Sequence, residues 1–298
     1  MTHLFEPIAF PGGAAAANRF MLAPLTHTMS SEDGTLSPED FLWLVPRARG
    51  GFGLITTAAA HVQASGQGFP GQPGIFSDRH VAGLSRLAEA VKTEGSLLLV
   101  QLHHAGARSP ADLIAGAPAG PSDNPEKGVR ALGLAEVEQL TEDFITAAER
   151  AQRAGCDGVE VHGAHGYVIS QFLSPAMNQR SDRYGGSLEN RARLLFDVVA
   201  GIRARCRSDF LLAVRISPER FGLRLAEMRL VAERLLAEGL IDLLDVSLWD
   251  VFKEPEEEEH RGRPLVEHFA GLERGGVRLG VAGKVNSGAD AARCMEAG

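Results

Sequence analysis

The sequence predicts an α/β chain of the (β/α)8 TIM barrel class, broken off after its seventh strand–helix unit. Three observations carry this. Seven short apolar runs alternate with helix-like segments, and no linker separates them. The runs are continuously apolar instead of alternating, as in parallel strands covered by helices. Polar residues gather after the runs and not before them, which is the layout of a barrel whose site lies at the strand carboxyl ends. A doubly wound open sheet would offer a glycine-rich turn after its first strand, and Pro24-Leu25-Thr26-His27 has none. Residues 1–298 are therefore expected to form a single barrel domain, incomplete at its carboxyl end because the eighth unit is missing from the pattern.

The first strand is Phe20 to Ala23, stopped by Pro24. Ser37-Pro38-Glu39-Asp40 opens a helix: serine can cap, proline suits the first turn, and the acids suit the amino end. That helix should end near Gly50-Gly51. Phe52 to Thr57 is the second strand, followed by a polar glycine-rich loop over 61–74. Ser77 is expected to cap a helix running to Glu94. Ser96 to Gln101 is the third strand, ending in Gln101, His103, His104 and Arg108. A long loop over 105–136 follows, longer than an ordinary connection and so of functional interest. Thr141 is expected to cap part of a helix that stops at Gly155. Gly158 to Val161, Leu211 to Ile216, Ile241 to Val246 and Val277 to Val281 supply strands four to seven. Helices are expected over 187–206, 225–238, 264–273 and 289–297.

Composition narrows the function. With 44% hydrophobic residues in 298, the chain can bury a large core. A formal net charge of -8 argues against duplex nucleic acid as a partner. No charge-free apolar stretch of about 18 residues exists, so no membrane span is expected. The first ten residues do not read as a secretion signal. Three widely spaced cysteines form neither a metal motif nor a disulfide framework. The expected compartment is the cytoplasm, and no metal site is expected.

The most informative stretch runs from Gly155 to Arg191. Its strand ends in His162, His165 and Tyr167, and it holds both tyrosines of the chain, Tyr167 and Tyr184. Two imidazoles and a phenol at a buried strand end each need a partner, so a binding site explains them better than packing does. A lone strand-end histidine is usually structural. Two of them beside a tyrosine where such barrels place chemistry are a different case.

This stretch closely resembles the old yellow enzyme family of flavin-dependent ene-reductases. The resemblance runs through Gln171-Phe172-Leu173-Ser174-Pro175, Asn178, Arg180, Asp182, Tyr184-Gly185-Gly186-Ser187 and Glu189-Asn190-Arg191. It extends to Asn18-Arg19 through Thr26, Gly53-Leu54-Ile55, Gln101, Arg215 and Val281 to Ser287, and covers about residues 5 to 298. It implies an FMN-binding barrel that uses NADPH or NADH to reduce a small-molecule activated alkene, such as an enone or enal. His162 and His165 would hold the carbonyl oxygen, and Tyr167 would protonate the alpha carbon. Pro24, Leu25, Thr26, Ala59, Gln101, Arg215, Gly283 and Lys284 would contact the flavin. His27 stands where one branch has a substrate-contacting tyrosine, so it is expected to take part of that role. Arg108 and its loop would shape substrate access, while Trp249 and the third-strand histidines carry less of the resemblance. The second half of the signature should mainly hold the loop in place. The resemblance leaves open a homo-oligomer, an amine-oxidising or demethylating relative, and a shortened barrel that no longer binds flavin.

Overall fold

A computed structural model describes residues 3–298. Seven parallel strands lie side by side in chain order: β1 (Met21–Leu22), β2 (Leu54–Thr56), β3 (Leu97–His103), β4 (Gly158–Gly163), β5 (Leu211–Ile216), β6 (Leu243–Ser247) and β7 (Arg278–Ala282). A short continuation of β2, Ala60–His61, pairs again with the end of β3. β1 and β7 are the two edges of this sheet. The helices are α1 (Pro38–Arg49), α2 (Val81–Thr93), α3 (Leu134–Arg153), α4 (Val168–Leu173), α5 (Leu188–Arg205), α6 (Leu225–Glu238), α7 (Glu267–Ala270) and α8 (Gly288–Ala297).

Strand parity divides the sheet into two chemistries. One set of alternate residues, including Val100, Val159, Val161, Val214, Ile216 and Leu244, packs outward under the helices in the main core. The other set faces the barrel axis. Near the strand starts that inner set is apolar: Leu54, Leu99, Leu211, Ala213 and Leu243 form a separate cluster with Phe10 and Ala16. Phe10 and Ala16 come from an antiparallel hairpin, Ile8–Ala9 with Ala15–Ala16, which plugs that end of the barrel. Burying each strand leucine of this cluster stabilises the fold by roughly 1.5–3 kcal/mol. Two residues further along, the same inner face turns polar: Gln101 and His103, Glu160 and His162, Arg215, then Asp245 and Ser247. The polar floor is thus a consequence of parity and not of a separate loop.

Several local expectations are corrected. The helix α3 begins at Leu134, not near Thr141, because Glu136 reaches back to accept the Gly133 N–H at 2.8 Å. Thr141 lies mid-helix, with its hydroxyl donating to the Val137 carbonyl. The stretch 105–136 is not all loop, since Ala119–Gly120 and Arg130–Ala131 form a short parallel pair. Ser77 makes no side-chain cap; the His80 ring accepts the Ser77 N–H instead, and a 3-10 turn precedes α2. The helix expected over 264–273 is a single turn, α7. By contrast, Ser37 does cap α1, accepting from the Glu39 and Asp40 amides while Asp40 accepts from the Ser37 N–H.

Candidate active site

The inner polar residues meet at the carboxyl ends of β3 to β6. Register alone brings several together: Gln101 lies beside Glu160, and Arg215 is flanked by His162 and Asp245. The rings of His162 and His165 are 5.0 Å apart and nearly perpendicular. Tyr167 lies 5.3 Å from His162 and stands edge-on to His103 at 4.3 Å. His103, a weaker candidate in the sequence, therefore belongs to the same ring cluster. Arg108 covers Tyr167 with its guanidinium carbon 4.8 Å from the ring centroid, a cation–π contact.

The turn after β4 is held in an uncommon conformation. His165 has φ 60 and Gly166 φ 71, both in the left-handed region. Left-handed backbone is costly for a histidine unless its surroundings fix it. Here Ser217 Oγ accepts the His165 N–H at 3.0 Å, and Arg108 donates to the His165 carbonyl at 2.5 Å. A side chain at Gly166 would meet the Phe221 ring at 2.8 Å, so glycine is required there. The chain then enters α4 at Tyr167, which occupies the N-cap position. The fully buried Gln171 ties α4 to the loop after β3, donating to the Ala105 and Gly166 carbonyls.

Burial governs the charges. It depresses His162 and His103 well below the ordinary imidazole value and His165 to about 4, with neighbouring cations adding to the effect. All three rings are therefore neutral near pH 7, and each has one donor nitrogen. Arg215 is the buried cation of the floor. Its Nε stands 3.1 Å from Asp245 Oδ2 without the alignment of a hydrogen bond, and its Nη2 donates to Ser247 Oγ at 3.4 Å. Burial raises Asp245 above its ordinary value while Arg215 opposes that shift. Several enclosed atoms in this region have no hydrogen-bond partner in the protein: Thr56 Oγ1, His103 Nε2, His162 Nδ1 and Glu160 Oε2. Such a concentration of unsatisfied donors and acceptors suits a polar, planar ligand.

The remaining candidates are more dispersed. Pro24, Leu25 and Thr26 follow β1, with Leu25 half exposed and Thr26 exposed. Ala59 is buried, and its carbonyl accepts from Gln72. His27 is buried against α1, its Nε2 3.3 Å from Asp40 Oδ1, an acid also held by Ser30 and Ser37. It makes no ring contact with the His162 cluster among the described residues. Gly283 and Lys284 follow β7 with φ 148 and 50. A Cβ at Gly283 would meet the Trp249 backbone at 2.7 Å. Lys284 Nζ lies 3.4 Å from Asp250. Trp249 is an exposed residue stacked under Arg220.

Sequence reading missed Glu160, Asp245, Ser217 and Ser247. The two acids sit inside apolar runs, and an acid there is the signal that could have found them, since a fully buried carboxyl needs a reason. The signature's second half behaves as expected: Asn178 donates to the Phe172 and Tyr184 carbonyls, and Arg180 pairs with Asp182 while donating to Pro121 and Leu132.

Residues 3–288 match the NADH:flavin oxidoreductase / NADH oxidase family. The chain is 40% identical over 259 residues to the probable NADH-dependent flavin oxidoreductase YqiG of Bacillus subtilis (strain 168), covering 83% of this chain and 69% of that protein. It is 34% identical over 300 residues to the NADH:fumarate oxidoreductase of Klebsiella pneumoniae (strain 342); that match covers 95% of this chain but 32% of the relative. Its fold is similar to the old yellow enzyme homologue from Zymomonas mobilis, with TM-score 0.83 and 29% identity over 99% of this chain and 86% of the other. No helix among the described residues is long and apolar enough to cross a membrane.

Proposed function

The chain belongs to the NADH:flavin oxidoreductase / NADH oxidase family, and from that premise we propose that it is an FMN-dependent ene-reductase. It would reduce the carbon–carbon double bond of a small activated alkene, with NADPH or NADH as the electron source. The observation that carries the reading is the grouping of His162, His165 and Tyr167 beside Arg215 and one layer above Gln101.

The residues fit FMN. The unsatisfied atoms of the floor match a heterocycle whose pyrimidine edge both donates and accepts. Arg215 and Gln101 would face that edge, with Pro24, Leu25, Thr26 and Ala59 along the ring. The turn at Gly283 and Lys284 would meet the phosphate through backbone N–H groups. When bound, FMN supplies the hydride chemistry, and the protein supplies orientation and electrostatics.

The substrate steps fall to this chain's own residues. His162 and His165, neutral and one-donor each, hold the carbonyl oxygen where negative charge develops. Tyr167 delivers a proton to the alpha carbon as general acid. Arg108 braces Tyr167 through its cation–π contact. His27 supports the loop after β1 from behind, through Asp40.

Anaerobic turnover assays of FMN-loaded protein with NADPH and NADH test the reading. Consumption of the nicotinamide with 2-cyclohexenone, giving cyclohexanone, is expected. Turnover with a methylated amine and none with the enone would overturn it.

A further inference from the structure

Glu160 lies near the centre of β4, and no substrate step above uses it. It is fully enclosed, on the inner face of the barrel, one layer beneath His162. Gln101 Nε2 donates to its Oε1 at 2.7 Å. Its other oxygen, Oε2, is enclosed without a partner. The Gln101 side-chain oxygen makes no hydrogen bond within the protein, which leaves the other edge of the amide available to a ligand.

Building on the proposed FMN site, we propose that Glu160 is a positioning residue that selects which edge of the Gln101 amide faces the flavin pyrimidine, acting as a protonation-dependent toggle. A carboxylate has no proton to give and can only accept. An ionised Glu160 therefore holds the Gln101 NH2 downward and its carbonyl oxygen upward, matching a donor such as a ring N–H. A neutral Glu160 has one O–H and one carbonyl, so it can also donate to the Gln101 oxygen. The amide is then free to turn its NH2 upward, toward the oxygens and nitrogen that gain charge on reduction. The toggle couples proton occupancy of a buried acid to the electrostatics of the flavin edge, at a position no substrate touches.

The surroundings place this switch in a usable range. Burial, with the nearby Asp245 adding to it, raises Glu160 to about 8, while Arg215 and the Gln101 hydrogen bond work in the opposite direction. The charged and titratable groups around it are Asp245 on β6, Arg215 on β5, His162 on its own strand and His103 on β3. Burial keeps both histidines neutral over this range, which leaves Glu160 and the Arg215–Asp245 pair as the groups that set its charge. Arg215 is in close charge contact with Asp245, so one guanidinium is shared between two buried acids and offsets the burial of Glu160 only in part.

The test is the midpoint potential and visible spectrum of bound FMN across pH 6 to 10, for the wild type, Glu160→Gln and Gln101→Leu. In the wild type both readouts should show an additional inflection near pH 8. Glu160→Gln, which keeps the shape but cannot ionise, should bind FMN and lose that inflection. Gln101→Leu should lose it as well, because the toggle has nothing to turn. An inflection retained in either variant, or absent from the wild type, overturns the proposal. Failure of the wild type to bind FMN would instead overturn the flavin reading itself. Infrared spectroscopy gives a check independent of flavin: a carboxylic C=O band present at pH 6 and lost above pH 9 should be missing from Glu160→Gln.

Discussion

His165 Nε2 lies 2.7 Å from the Oγ of Ser247, a contact that spans from the turn after β4 to the end of β6. Arg215, on the strand between them, reaches the same oxygen at 3.4 Å. One hydroxyl thus joins the His165 imidazole to the buried cation of the floor. In a neutral imidazole the partner of one nitrogen decides which nitrogen carries the proton.

Ser247→Ala should therefore leave FMN bound but lower the rate of alkene reduction. Loss of one orienting hydrogen bond, about 0.5–1.5 kcal/mol, corresponds to a fall of up to roughly tenfold. Rapid-mixing measurements of the two half-reactions check this. Flavin reduction by NAD(P)H should be close to unchanged, and the alkene step should be slowed.

Tyr167→Phe keeps the ring stacked between His103 and Arg108 and removes the hydroxyl. If the phenol delivers the proton, kcat with 2-cyclohexenone should fall by about 10²–10⁴-fold. Reduction of bound FMN by the nicotinamide should proceed as before. Equal loss in both half-reactions would point to damaged architecture.

Gly283→Ala tests the turn after β7. With φ 148 and a Cβ position 2.7 Å from the Trp249 backbone, alanine must move the loop. Strain of about 1–3 kcal/mol at this turn should weaken FMN affinity roughly tenfold or more, while the far-ultraviolet circular dichroism spectrum is retained. Fluorescence titration with FMN reads the affinity directly.

Stability should depend on pH in two opposite senses. His61 and His165 are depressed by burial to about 4 and His104 to about 3, from an ordinary value of 6.5. Between these values the unfolded chain binds protons that the folded protein does not, so stability is complete above about 6.5 and falls as the pH drops toward 4. Glu160 acts the other way. From its ordinary 4.5 up to about 8, the folded protein holds a proton that the unfolded chain has lost, so stability falls as pH rises through that window. Because three histidines outweigh one acid where the windows overlap, melting temperature should peak at the upper end of the histidine window, about pH 6.5–7, and Glu160→Gln should flatten the alkaline side.

The parallel strands were legible because their outer faces need apolar residues at every second position and their inner starts do too, which leaves nearly unbroken runs such as Leu97 to Val100. His162, His165 and Tyr167 were legible because a polar cluster interrupts such a run. The plug hairpin was not, since two strands of two residues each carry no period. The start of α3 was obscured because a capping glycine has no side chain, and only Glu136 marks it. His27 illustrates a different limit. Its residue type suits a substrate contact, but Asp40, thirteen positions later, holds it against the start of α1. Ser247 could not be paired with His165 from sequence, because the contact depends on two strands that are not neighbours in the sheet.

The most direct test is a single turnover without oxygen. FMN-loaded protein, reduced by one equivalent of nicotinamide, is mixed with 2-cyclohexenone while the flavin spectrum is followed and the product is identified. Reoxidation of the flavin with one cyclohexanone formed per site is expected, and in His162→Ala/His165→Ala it should be slowed by roughly 10²-fold or more, as for loss of the donors that stabilise the developing oxyanion. A reduced spectrum that persists in the presence of the enone, or an equal rate in the double variant, would contradict the assignment of this site.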